Sequence, residues 1–132
     1  MKKLLFLALI AFLFGSCEKN AGKGGTSTIK GTVTVWEYNN DFLDKVGEYP
    51  GQEVEVYIIY SGNPEDVYGD RMDTDWEGKY EFNYLQEGKY TIYALTKDTT
   101  NFYNKEKYPV FREVEITGKD QTIEVPEIII ID

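Results

Sequence analysis

Histidine is absent from this 132-residue chain, and cysteine occurs only once, at Cys17. Without an imidazole the chain cannot build Ser-His-Asp or Cys-His catalysis, and it lacks a common zinc ligand. A single cysteine excludes an intramolecular disulfide. Positive charge is also scarce, with 14 Lys and Arg against 23 Asp and Glu. A surface this acidic repels phosphate backbones, so nucleic acid is not an expected partner. The acids read as a solvated coat that keeps a β-protein soluble and blunts its sheet edges.

The one long apolar run, Leu4 to Phe14, has eleven residues. That is too few to span a bilayer as a helix. It follows the basic start Met1-Lys2-Lys3 and precedes Gly15-Ser16-Cys17, the order of a signal peptide. The segment resembles a bacterial lipoprotein signal, with Leu13 and Phe14 in the approach to the cysteine. That resemblance implies cleavage before Cys17, acyl chains on its sulfur and new amino group, and anchoring at the outer membrane or surface of a Gram-negative cell. Residues 1–16 are then leader, and residues 17–27 a lipidated cysteine and flexible tether. Removing the leader leaves 12 basic against 23 acidic residues, a net charge of −11.

From Thr28 to Asp132 the chain reads as one domain. Thr28 to Tyr38 alternates Ile29, Gly31, Val33 and Val35 with polar residues, the pattern of a half-buried strand. Asn39 to Gly51 reads as a long connection with one helical turn at Asp41 to Val46. Gln52 to Tyr60 is a second strand, and Val67 to Thr74 a weak third with Tyr68 and Met72 as apolar contacts. Thr74 to Asp98 reads as a β-hairpin reversed at Gln86-Glu87-Gly88. Thr99 to Pro109 is an aromatic loop, Val110 to Thr117 a strand, and Gln121 to Asp132 the last strand, interrupted at Pro126. The run Ile128 to Ile131 is either buried between neighbours or an adhesive edge. Seven short strands without a long helix in the mature chain predict an all-β, seven-stranded antiparallel two-sheet sandwich.

Gly31-Thr32-Val33, Gly51 to Val56, Thr74-Asp75-x-x-Gly78-x-Tyr80-x-Phe82 and Gly88-x-Tyr90 together resemble the carboxypeptidase regulatory-like domains. These are transthyretin-like (prealbumin-like) sandwiches related in architecture to pilin-type Cna B modules, and the resemblance covers roughly residues 28 to 117. It implies fold more than activity. The hydroxyisourate hydrolases of that superfamily use histidines and a terminal Tyr-Arg-Gly-Ser, whereas this chain ends Ile-Ile-Ile-Ile-Asp. In the isopeptide-forming modules an acid stands where Ala94 falls here, so Lys30 reads as a solvated lysine. Asp73-Thr74-Asp75-Trp76-Glu77-Gly78 opens like a calcium loop, but its twelfth position is Tyr84, so the stretch reads as a β-turn.

Aromatics are the remaining lead. Trp36, Tyr38, Tyr57, Trp76, Tyr84, Tyr93, Phe102, Tyr103 and Tyr108 exceed what one alternating core face needs. Trp36, Trp76 and Tyr103 are the candidate ligand-binding residues. The expectation is a non-enzymatic, lipid-anchored binding or assembly module without cofactor or metal. Its partners would be the membrane, through Cys17, and a glycan or protein ligand. The alternatives are a glycan-binding accessory protein and an adhesin-like subunit that adds its last strand to a neighbour's sheet.

Overall fold

A computed structural model describes residues 20–97 and 106–132. Nine strands form two sheets among them, with no helix. They are β1 (Lys23–Tyr38), β2 (Lys45–Pro50), β3 (Glu55–Ile59), β4 (Asp70–Asp73), β5 (Lys79–Leu85), β6 (Gly88–Lys97), β7 (Lys107–Ile116), β8 (Thr122–Glu124) and β9 (Ile128–Ile131). The all-β, two-sheet sandwich is as the alternation predicts. The strand count and two pairings differ.

One sheet is built on β1. Its hydrogen bonds alternate between two edges, because successive residues of a strand point their N–H and C=O groups to opposite sides. On one edge Val33 donates to Gly78 O and accepts from Gly51 N, each at 2.8 Å, so β5 and then β2 follow each other along the same side. On the other edge Lys30 O accepts from Val125 N and Trp36 O from Asp132 N, so β8 and then β9 follow each other there. Both run parallel to β1. This departs from the expected all-antiparallel order. The chain crosses between sheets after β7 and returns along β1 in the same direction.

The second sheet is antiparallel throughout, in the order β4-β3-β6-β7. Between the sheets lie Ile29, Val33 and Val35 from β1, Tyr80 and Phe82 from β5, Val56 and Ile58 from β3, and Tyr90, Ile92 and Ala94 from β6. Burying a side chain of this size contributes roughly 1.5–3 kcal/mol. Ile128 and Ile130 point into the same core while Ile129 and Ile131 are half-buried. The isoleucine run is therefore a packed strand within its own sheet.

Other expectations change as well: β7 starts at Lys107 rather than Val110, so the end of the expected aromatic loop is strand paired with β6. The Gly-rich stretch read as tether is partly taken up by β1, which starts at Lys23 rather than Thr28. There Ser27 is buried, donates to Gly118 O and accepts from Gln121 N. Just before it, Gly22 N donates to the buried Tyr90 hydroxyl at 2.9 Å and Gly22 O accepts from Gln86 N at 2.8 Å. The helical turn at Asp41 to Val46 is instead a hairpin turn, in which Asn39 Oδ1 accepts from Leu43 N and Asp44 N before β2 begins. Finally, the last predicted strand is two, because Pro126 has no N–H to continue the ladder.

The Thr-Asp-x-x-Gly motif has a mechanical explanation. Buried Thr74 donates its hydroxyl to Gly51 O and accepts from Val54 N, tying the end of β4 to the start of β3. Asp75 Oδ1 accepts from Glu77 N and Lys79 N at 2.9 Å each, closing the turn. Gly78 has φ 77°, and a Cβ there would lie 2.4 Å from Val33 O. Only glycine combines that backbone with so close an approach. The acids that resemble a calcium loop thus include one already committed to shaping the turn.

Candidate ligand-binding surface

Side chains alternate along each strand, so the residues that skip the core on β3, β6 and β7 share the outer face of the second sheet. Register then decides which of them meet. Arg71 on β4 pairs with Tyr57 on β3, Tyr57 with Tyr93 on β6, and Tyr93 with Phe111 on β7. This is one straight row across all four strands. At a strand spacing of about 4.8 Å it extends roughly 14 Å.

Its rings touch. Tyr57 and Tyr93 stack with centroids 4.8 Å apart and planes 9° apart. Phe111 meets Tyr93 edge-on at 5.5 Å, and Tyr68, from the β3–β4 loop, meets Tyr57 edge-on at 4.9 Å. Contacts of this kind contribute about 0.5–1.5 kcal/mol each beyond area burial. The central pair is half-buried, while Tyr68 and Phe111 are 43% and 40% exposed, leaving apolar surface open at both ends.

One end carries a polar bracket. Tyr57 donates its hydroxyl to Glu55 Oε2 at 2.6 Å, and Arg71 Nη1 lies 3.3 Å from Glu55 Oε1. The hydrogen bond to Glu55 raises the Tyr57 pKa, with burial as the next cause, and the Glu55 charge raises that of Arg71. Burial raises the Tyr93 pKa. At neutral pH the strip therefore presents neutral phenols beside one carboxylate and one guanidinium. That chemistry suits apolar C–H faces and hydroxyl groups of a ligand more than a reacting bond.

The residues singled out from the sequence are not in this row. Trp36 is on the outer face of the other sheet, half-buried, with Lys45 Nζ 3.9 Å above its ring. Its indole N–H is covered and lacks an acceptor at hydrogen-bonding geometry, although Glu48 is near enough for it to matter. The Lys45 hydrogen bond and charge, and more weakly Trp36, hold Glu48 below its ordinary carboxyl pKa. Trp76 stands at the β4–β5 turn, 72% exposed. Tyr103 and Cys17 lie outside the described residues. Tyr57 and Tyr93 belong to the aromatic surplus visible in the sequence, but Phe111 and the outward role of Tyr68 were missed. The available signal was alternation: Phe111, Glu113 and Glu115 share one face of β7.

Elsewhere, an open groove of ≈ 590 Å³ is lined by Lys30, Thr32, Met72, Lys79, Glu81 and Glu124 among others. Lys30 there pairs with Glu124 at 3.7 Å, so the lysine has a solvent-side partner. Among the described residues no group of three or more His, Cys, Asp or Glu side chains could hold a metal ion.

No family model matches the chain, and no curated protein does. Among solved structures it is similar to a candidate carbohydrate-binding protein from Pseudomonas aeruginosa, at 12% identity and TM-score 0.47 over 85% of this chain and 92% of that one. It is also similar to an (S)-allantoin synthase, at 14% identity and TM-score 0.42, where it aligns with 80% of this chain and 42% of the other.

Proposed function

We propose that this protein is a non-enzymatic, lipid-anchored cell-envelope module that binds a glycan across the outer face of its four-stranded sheet. The observation that carries the reading is the in-register row Arg71–Tyr57–Tyr93–Phe111, extended by Tyr68. Sugar rings have apolar C–H faces and polar rims, and an aromatic strip ending in a carboxylate–guanidinium pair offers complements to both. The strip is elongated, which favours an extended oligosaccharide over a single sugar. The leader ending at Cys17 supports the anchored location, and the lack of histidine removes Ser-His-Asp and Cys-His chemistry.

The test is a glycan array probed with the full chain purified in detergent, alongside Tyr93→Ala and Phe111→Ala variants. Binding should weaken about tenfold in each, or ~1.4 kcal/mol. A blank array, or binding that both variants retain in full, overturns the assignment.

A further inference from the structure

The amino-terminal segment is fastened to the body almost as far back as the cysteine. Gly22 is gripped on both sides by the Tyr90 hydroxyl and the Gln86 amide. Tyr60 packs against it, Lys23 pairs with Asp70 at 3.3 Å, and Gln86 Nε2 donates to Lys23 O at 2.8 Å. Ala21 is half-buried against the core and against Gly88. Four peptide units separate Cys17 from Ala21, which fully extended reach at most about 14 Å.

We infer that a lipid surface is the partner of one particular end of this sandwich. The inference rests on the proposed acylation of Cys17. A leash this short cannot let the body turn freely, so the end beside Gly22 faces the bilayer. That end comprises the Gln86-Glu87 turn, the Gly118 to Asp120 turn and the Ser61 to Asp70 loop. The last two are placed there by the Asp120 N bond to Thr26 Oγ1 and the Thr91 Oγ1 bond to Ser61 O, two residues from Lys89. The opposite end is the β1–β2 arm. β1 is bulged at its start, where Lys23 and Ser27 both face Leu85, and runs on from Ser27 to Tyr38, so the two ends are separated by roughly 35 Å. The arm's exposed Leu43 and Val46 point away from the bilayer. The tyrosine row lies between, on a wall roughly upright to the membrane, open to long ligands from the side. Charge does not set this orientation, because Glu65, Asp66, Asp70, Glu87 and Asp120 outnumber Lys23, Lys89 and Lys119 at the near end. The tether does.

Acylation would consume the only native thiol, so single reporters can be placed cleanly. The acylated full chain is put into vesicles containing a headgroup-quencher lipid, with a dye at Lys119→Cys, Glu65→Cys, Leu43→Cys or Val46→Cys. Most of the fluorescence should be lost at positions 119 and 65, and none at 43 and 46. A flexible insert of about 30 Gly and Ser residues between Asn20 and Ala21, with a mean reach near 30 Å, should erase the difference. Equal quenching at all four positions in protein that carries its acyl chains and floats with the vesicles overturns the orientation alone. Intact mass showing an unmodified Cys17 overturns the anchoring beneath it.

Discussion

The two outer faces of the sandwich are built by the same alternation and end up chemically unlike. On the β1 sheet the outward residues find partners on flanking strands and the β8–β9 connection: Thr28 donates to Asn83, Thr34 to Glu127, and Lys30 pairs with Glu124. On the β3–β6–β7 sheet the outward residues in register are rings that satisfy one another only in part, leaving apolar edges in water. A face whose polar groups are paired internally has little left to offer a ligand. The row of rings on the second sheet leaves apolar area open, and the proposed binding face rests on that contrast.

The largest test concerns what holds the first sheet together. Ile128→Ala, at a fully buried position, should cost about 2–5 kcal/mol in urea unfolding. Ile129→Ala, half-buried, should cost less than half as much, and equal losses would mean that β9 does not pack one-sidedly. Next is the close approach of Tyr80 to Gly31, where a Cβ would lie 2.4 Å from the phenol oxygen. Gly31→Val should destabilise by roughly 1–3 kcal/mol. Tyr80→Phe should be neutral or stabilising, since that hydroxyl is buried without a partner.

Alkaline titration sharpens the contrast further. Burial raises the phenol pKa of Tyr60, Tyr80, Tyr90 and Tyr93 above the ordinary 10.0. The folded chain keeps these protons after the unfolded chain has begun to lose them. Their contribution is therefore complete below pH 10 and lost as pH climbs past it, by ~1.4 kcal/mol per pH unit for a fully buried group such as Tyr80. Denaturation midpoints measured from pH 8 to 11 should be flat and then fall, and a rise would contradict the burial. Tyr93→Ala, which removes two ring contacts, should lower stability by about 1–3 kcal/mol and weaken ligand binding about tenfold. Smallest of all, Trp76→Ala should change stability by less than about 0.5 kcal/mol and leave binding at the tyrosine row unchanged. A large loss of binding there would move the site to the β4–β5 turn.

Much of the sandwich was legible because its strands are amphipathic: Ile29 to Val35, Val54 to Ile58 and Tyr80 to Ala94 show their buried faces directly. Gly22 to Ser27 did not, since its order comes from Gly118, Gln121 and Tyr90, far along the chain, while its own composition is that of a linker. Strand β2 was hidden for a different reason. Most of its residues are exposed, so no hydrophobic period marks it, and its bonds to β1 alone define it. The candidate site was legible only as a surplus of aromatics. Tyr57, Tyr93 and Phe111 become neighbours through register, which single-strand patterns do not encode. The indole side chains attracted notice by size, yet neither stands where rings gather.

β1 is completed along one edge by residues that come at the far end of the polypeptide, with Thr28 beside Thr122 and Trp36 beside Ile131. Pairings so distant along the chain are slow to form, because the loop between them must close first. A copy whose β9 isoleucines have yet to reach β1 would accordingly remain loose, closing into its mature shape only once that edge is paired.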